Sequence, residues 1–248
     1  MDATGWALLA GGGFLAGVVN TLAGGGSLLT VPLMVSLGLP PTLANGTNRV
    51  GVLASSIASA WRFRRDGVSG LDGARRVVVP VLLGSVAGAT LVAQLDNDHF
   101  QALFAVVMVA LLVPTLRRPR VLRPRDESTP AWSRARTFAV FLAIGLYGGA
   151  LQAGVGIFLI YALTHAGYDL VRANSIKVVV VAAFTSVALP IFVLEGQVDW
   201  LWGAVLALGF ALGGLVGASV TVAGGDRLVR PMLALAVVAL AGRMLGFY

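Results

Sequence analysis

Two basic residues stand where an apolar chain has little use for charge. Arg49 closes the run Asn45-Gly46-Thr47-Asn48-Arg49, and Lys177, the single lysine, closes Asn174-Ser175-Ile176-Lys177. Each run opens a long hydrophobic segment and has no acid within a helical turn of its cation. A charge inside a bilayer costs on the order of 2.5–3.5 kcal/mol on insertion scales. An unpaired cation beside amides and hydroxyls is chemistry for an anion. The competing reading is a side chain that snorkels from a helix end to the headgroups.

A glycine break precedes each run: Ala23-Gly24-Gly25-Gly26-Ser27 in one case, Gln152-Ala153-Gly154-Val155-Gly156 in the other. A helix that restarts after such a break presents unpaired N–H groups and the positive end of its dipole. Glycine also lets an anion approach the backbone closely. Asn20, Thr21 and Ser27 add donors at the first break, Tyr147 and Gln152 at the second. The candidate anion site therefore takes Asn20, Gly25, Gly26, Ser27, Asn45, Thr47 and Asn48 from one region. It takes Gln152, Gly154, Asn174 and Ser175 from the other, with Arg49 and Lys177 supplying charge. Glycine also serves close packing between membrane helices, which better explains Gly84-Ser85-Val86-Ala87-Gly88.

The two regions correspond because the chain reads twice. An offset of 129 residues lands Gly25 on Gly154, Gly38 on Gly167 and Ala44-Asn45 on Ala173-Asn174. The same offset lands Gly67 on Gly196, Gly84 on Gly213, Gly88 on Gly217 and Asn48 on Lys177. Of the 248 residues 57% are hydrophobic and 12% charged, where a soluble domain carries about a quarter charged. The class is a polytopic helical membrane protein. Paired spans are expected at 41–61 and 170–190, at 77–94 and 206–223, and at 99–116 and 228–245. Residues 5–37 and 137–166 are each too long for one crossing and read as two shorter helical pieces meeting at the glycines. The start Met1-Asp2-Ala3-Thr4 lacks a basic stretch, so no cleavable signal peptide is expected.

Charge orients the chain. Loop 62–76 carries five arginines and the linker 117–136 seven, whereas the segments near Asp96 and Asp98 and near Glu195 and Asp199 carry no Lys or Arg. Basic loops stay in the cytoplasm, so the net charge of +7 sets topology rather than nucleic acid binding. Segment 195–199 is the repeat partner of 66–70 yet falls on the opposite side. The expected fold is thus all-α, with two inverted repeats. Each repeat is a glycine-broken hairpin plus three transmembrane helices, at 1–116 and 137–248 around the linker, with both termini external. Crossing parity alone does not separate a re-entrant hairpin from two short spanning pieces.

Other residues say less. His99 and His165 sit near helix ends, where interface roles suffice, and Trp6, Trp61, Trp132, Trp200 and Trp202 suit an aromatic belt. Absence of cysteine excludes disulfides and thiolate metal sites. No intramembrane carboxylate pair or histidine cluster supports an enzyme, nothing calls for a cofactor, and missing buried acids argue against a cation transporter.

The stretch Gly17-Val-Val-Asn20-Thr-Leu-Ala-Gly24-Gly-Gly-Ser27-Leu-Leu-Thr-Val31-Pro32, with Gly38-Leu-Pro-Pro and Ala44-Asn-Gly-Thr47-Asn48, resembles the TauE/SafE family of sulfite exporter-like membrane proteins. Gly148-Gly-Ala-Leu-Gln152-Ala-Gly154-Val-Gly156 with Ala173-Asn-Ser175 is similar to that family's second repeat, although Tyr161 replaces the proline. The resemblance implies a secondary transporter, an exporter of sulfite or an organosulfonate, in the cell membrane. A coupling ion and a homodimer remain open. The alternatives are a passive anion channel and a non-transporting scaffold subunit.

Overall fold

The computed structural model describes residues 1–117 and 132–244. All of its regular elements are helices. The first half holds α1 (Ala3–Ala23), α2 (Ser27–Ser36), α3 (Pro41–Arg65), α4 (Leu71–Arg75), α5 (Val78–Ala93) and α6 (Asn97–Arg117). The second holds α7 (Arg134–Ala150), α8 (Val155–His165), α9 (Leu170–Leu194) and α10 (Trp200–Met244). Most of the linker 117–136 lies outside the described residues.

The expected breaks occur where the glycines stand. Gly24 ends α1 at φ 75° and Gly154 opens α8 at φ 70°, both in the left-handed region that a Cβ disfavours. The pieces are unequal, however. At 1.5 Å per residue, the 21 residues of α1 cover a bilayer core, whereas the 10 of α2 cover about half of one. The first broken region is therefore two pieces meeting at the glycines as expected, a full-length helix followed by a half helix. A correction concerns 206–223 and 228–245, whose described residues, through Met244, belong to a single helix. The backbone of α10 stays helical through Gly224 and Gly225, and Trp200–Gly224 is the part long and apolar enough to span. Glycine lowers helix propensity but retains its N–H, so the pair need not end the helix.

Small residues decide which helices touch. Gly13 and Gly17 of α1 lie on the backbone of Leu206 and Phe210, and Gly213 of α10 lies on Phe14. Across α5 and α7, Gly84 faces Leu142, Gly88 faces Leu146, and Gly149 faces Ser85. A Cβ at most of these positions would meet backbone atoms that cannot yield. Both pairs run parallel, and the offset exchanges one for the other. The packing order is α1, α10, α3, α9, α5, α7, with α3 against α9 at the centre. There the start of α3 meets the segment after α9: Gly46 lies on Gln197, and Asp199 N–H donates to Thr47 Oγ1 at 2.9 Å. The start of α9 meets the segment after α3: Ser175 Oγ donates to Val68 O at 2.9 Å, and Gly70 lies on Ser175. The two central helices, superposed by the offset, run in opposite directions. The half helix α2 packs on α1 and α3, and α8 packs on α7 and α9.

Candidate functional site

The two breaks meet. Gly24 and Gly156 lie backbone to backbone, with Gly156 N–H donating to Gly24 O at 3.4 Å. A Cβ on either glycine would collide with the other's Cα. No side chain intervenes, so the end of α1 and the start of α8 share one point near the centre of the packing.

A helix end leaves its last four carbonyls without intrahelical donors. Both buried cations answer that need, and each does so in the opposite half. Arg49 of α3 is fully buried, and its guanidinium reaches the end of α7. There Nη2 donates to Gly149 O at 2.6 Å and Ala150 O at 2.9 Å. Its Nη1 donates to Gly148 O and to Gln152 Oε1, both at 3.3 Å, and its flat face covers the Phe192 ring at 4.2 Å. Lys177 of α9 reaches the end of α1. Its ammonium donates to Asn20 O at 2.9 Å, Thr21 O at 2.5 Å and Asn174 Oδ1 at 2.9 Å. Cations at helix C-termini also interact favourably with the macrodipole. Among the described residues no carboxylate bonds either one. Neither snorkels: both lie in the interior, bonded mostly to backbone oxygens and each to one side-chain amide oxygen.

The remaining candidates form small networks around these caps. Asn48 Nδ2 donates to Ser27 Oγ at 2.7 Å, while its Oδ1 accepts from Thr30 Oγ1 at 2.5 Å. With its oxygen occupied as acceptor, the Ser27 hydroxyl keeps its own proton for another partner. Asn45 Nδ2 donates to Ala150 O at 3.1 Å, beside the Arg49 fork. Gln152 sits in the left-handed region at φ 60°, an uncommon state for a residue with a side chain. Its amide is held at both ends, by Arg49 and by Thr185 Oγ1 at 2.8 Å. Gly25, Gly26 and Gly154 are buried in the breaks themselves, and Asn20 is 7% exposed next to Gly26. Thr47 and Ser175 are buried but tied to the far segments described above, not to the breaks. Tyr147 donates its hydroxyl to Ala153 O, inside the second break. The histidines serve elsewhere: His99, in the first turn of α6, pairs with the preceding Asp96 at 2.8 Å, and His165 stacks on Trp132 at the end of α8.

Several polar groups in this interior have no protein partner. Arg49 Nε, Asn45 Oδ1, Asn174 Nδ2, Ser55 Oγ and Ser56 Oγ are buried and unbonded. Native proteins leave few such groups, and each calls for a water, an ion or a ligand. Thr30 and Thr185, which lock Asn48 and Gln152, were not among the sequence candidates. Spacing could have flagged them. Thr30 lies three residues after Ser27 on one face of α2, and Thr185 lies eight after Lys177 on one face of α9.

The family described as "Sulfite exporter TauE/SafE" matches residues 9–244. The chain belongs to the TauE/SafE family. Among curated relatives, it is 27% identical to the probable membrane transporter YfcA of Escherichia coli strain K12, over 93% of this chain and 86% of that one. It is 28% identical to a probable membrane transporter of Haemophilus influenzae, covering 89% of this chain and 87% of the relative. It is 28% identical to the probable membrane transporter ORF9 of a Sinorhizobium species, covering 94% and 89%. No solved structure gives a significant match. This TauE/SafE member is thus an integral membrane transporter rather than an enzyme. Its apolar spans include Ala3–Ala23, Leu170–Leu194 and Trp200–Gly224.

Proposed function

We propose that this TauE/SafE protein moves a small sulfur-containing oxyanion, sulfite or an organosulfonate, across the cell membrane by alternating access. The observation that carries the reading is the reciprocal cap. Each half's buried cation closes the other half's broken helix at the point where the breaks touch. An anion entering there finds positive charge already dehydrated, the start of α2 with its dipole directed inward, and buried donors at Ser27, Asn174 Nδ2 and Arg49 Nε. Asn20, Gly25, Gly26, Asn45 and Gly154 line the approach, while Asn48 and Gln152 hold the donors in position. Thr47 and Ser175 fix the starts of α3 and α9.

The halves are inverted repeats in this reading. The opposed directions of α3 and α9, and the mirrored order of packing about them, support it. Rocking one half against the other would break the caps on one side and admit the anion there. The burial of the candidate side chains favours an occluding transporter over an open passive channel. Export as the direction follows the family's description.

The test has two arms. Sulfite, thiosulfate, sulfoacetate, sulfate and chloride are tested for thermal stabilisation of the purified protein, which mass action confers only by binding to the folded state. Counterflow in liposomes follows. Trans-acceleration by unlabelled sulfur oxyanion is expected. Flux without acceleration would mean a channel, and neither flux nor stabilisation would leave a scaffold.

A further inference from the structure

We propose that Lys177 carries the coupling proton, so that one proton crosses with each anion in the same direction, the outward anion gradient driving both during export; this rests on the transport reading above. Three oxygens surround the Lys177 nitrogen: Asn20 O, Thr21 O and Asn174 Oδ1. Only the ammonium form has three N–H groups to serve them. The neutral amine has two, and turns a lone pair toward the third oxygen. Loss of the proton therefore removes one bond of the cap and loosens the end of α1. The side chain has little room to do otherwise, because a Cβ on Gly156 would stand 3.0 Å from its Cδ.

Arg49 performs the same task on α7, but a guanidinium does not give up its proton in proteins. Lysine does so readily when buried. The two caps do the same job at corresponding helix ends, but only the lysine can release its proton, so one break is switchable by a proton and the other is not.

The neighbours leave the charge unbalanced. On α9 itself, Asp169 and Arg172 lie at the start and Glu195 follows the end. On α1 the one acid is Asp2, at the opposite end from the cap. From α3, Arg49 turns its donors to α7, Arg62, Arg64 and Arg65 lie in the last turn, and Asp66, which follows, is already paired with Arg62 at 2.8 Å. The α4 pair Asp72 and Arg75 is exposed. The α7 residues Arg134 and Arg136 sit at its start, and Tyr147 donates to Ala153 O. On α8, Tyr161 and His165 lie in the last turns, and α5 and α10 through Gly224 carry no titratable group. Among the described residues, then, two cations share this interior without a facing carboxylate. A bound anion relieves that, and so does release of the lysine proton to water on the open side. Anion and proton therefore favour each other's binding, and the coupling is reciprocal.

The experiment uses proteoliposomes with an entrapped pH dye and a clamped membrane potential. The probes are labelled thiosulfate and isethionate, neither of which takes up a proton near neutral pH. Wild-type influx should acidify the lumen by one proton per anion, and the anion KM should rise about tenfold per pH unit once Lys177 titrates. Lys177→Arg keeps the charged cap but holds its proton. Whatever counterflow it supports at equal pH should show a KM that no longer follows pH, and its influx should not acidify the lumen. Wild-type exchange without proton movement, or Lys177→Arg influx that acidifies the lumen like wild type, overturns this inference alone. The wild-type stoichiometry decides even where the variant fails to fold. Absence of exchange with either probe in wild type overturns the transport reading and this one with it.

Discussion

Replacing Arg49 with methionine tests the cap directly. Methionine keeps much of the apolar stem and removes four donated hydrogen bonds. Ala150 O retains Asn45 Nδ2, so the groups left without this donor are Gly148 O, Gly149 O and Gln152 Oε1. Each stranded buried acceptor costs about 1–3 kcal/mol. Several kcal/mol return because no guanidinium has to be dehydrated. The balance is a loss of about 3 kcal/mol, roughly a hundredfold in the unfolding equilibrium. The loss should be focused at the second break, where hydrogen exchange across 151–156 should accelerate more than exchange within α5. Stability is read from unfolding in mixed detergent micelles with increasing dodecyl sulfate. Arg49→Lys, with a point charge in place of the planar fork, should fall between. The reasoning is refuted if Arg49→Met unfolds at the wild-type dodecyl sulfate fraction with unchanged exchange across 151–156. Lost anion binding at full stability would put the guanidinium on the substrate instead of on α7.

Three further outcomes follow from the same geometry. Gly24→Ala should abolish folding or transport, because a left-handed φ and a collision with Gly156 act together. Gly67→Ala, also left-handed but with open space around it, should cost only about 1–2 kcal/mol and leave transport intact by counterflow. Asn48→Leu removes the donor on Ser27 Oγ and leaves the Thr30 hydroxyl only its 3.2 Å bond to Gly26 O; it should weaken anion binding at least about tenfold by calorimetry, and Asn48→Asp should weaken it further by placing a carboxylate beside the anion. The native chain has no cysteine, so Ser69→Cys and Glu195→Cys give clean single-thiol variants. An impermeant thiol reagent should label them from opposite sides, and labelling from one side would end the inverted-repeat reading.

Much of the architecture was legible in the residues. The glycine runs marked both breaks because only glycine takes the left-handed turn of Gly24 and Gly154 at no steric cost. The offset placed both central helices, expected at 41–61 and 170–190, and their starts hold at Pro41 and Leu170 while each runs four residues further, to Arg65 and Leu194; Gly84 and Gly88 announced a close helix contact. The unequal lengths of α1 and α2 were not legible, since both are apolar throughout and hydropathy does not register where a lipid-facing helix yields to a buried half helix. Nor did the glycine pair near 224 reveal that α10 would continue through it.

The sequence by itself determined that this is a duplicated, helical membrane protein with two cations it cannot solvate and two breaks it cannot fill. Only the tertiary structure decided where those cations go. Their partners are backbone carbonyls at Gly148, Gly149, Ala150, Asn20 and Thr21. Every residue carries such an oxygen, so no residue type advertises it. A carbonyl becomes an acceptor in need only where its helix stops, and it meets a donor some hundred residues away only once the two halves have packed.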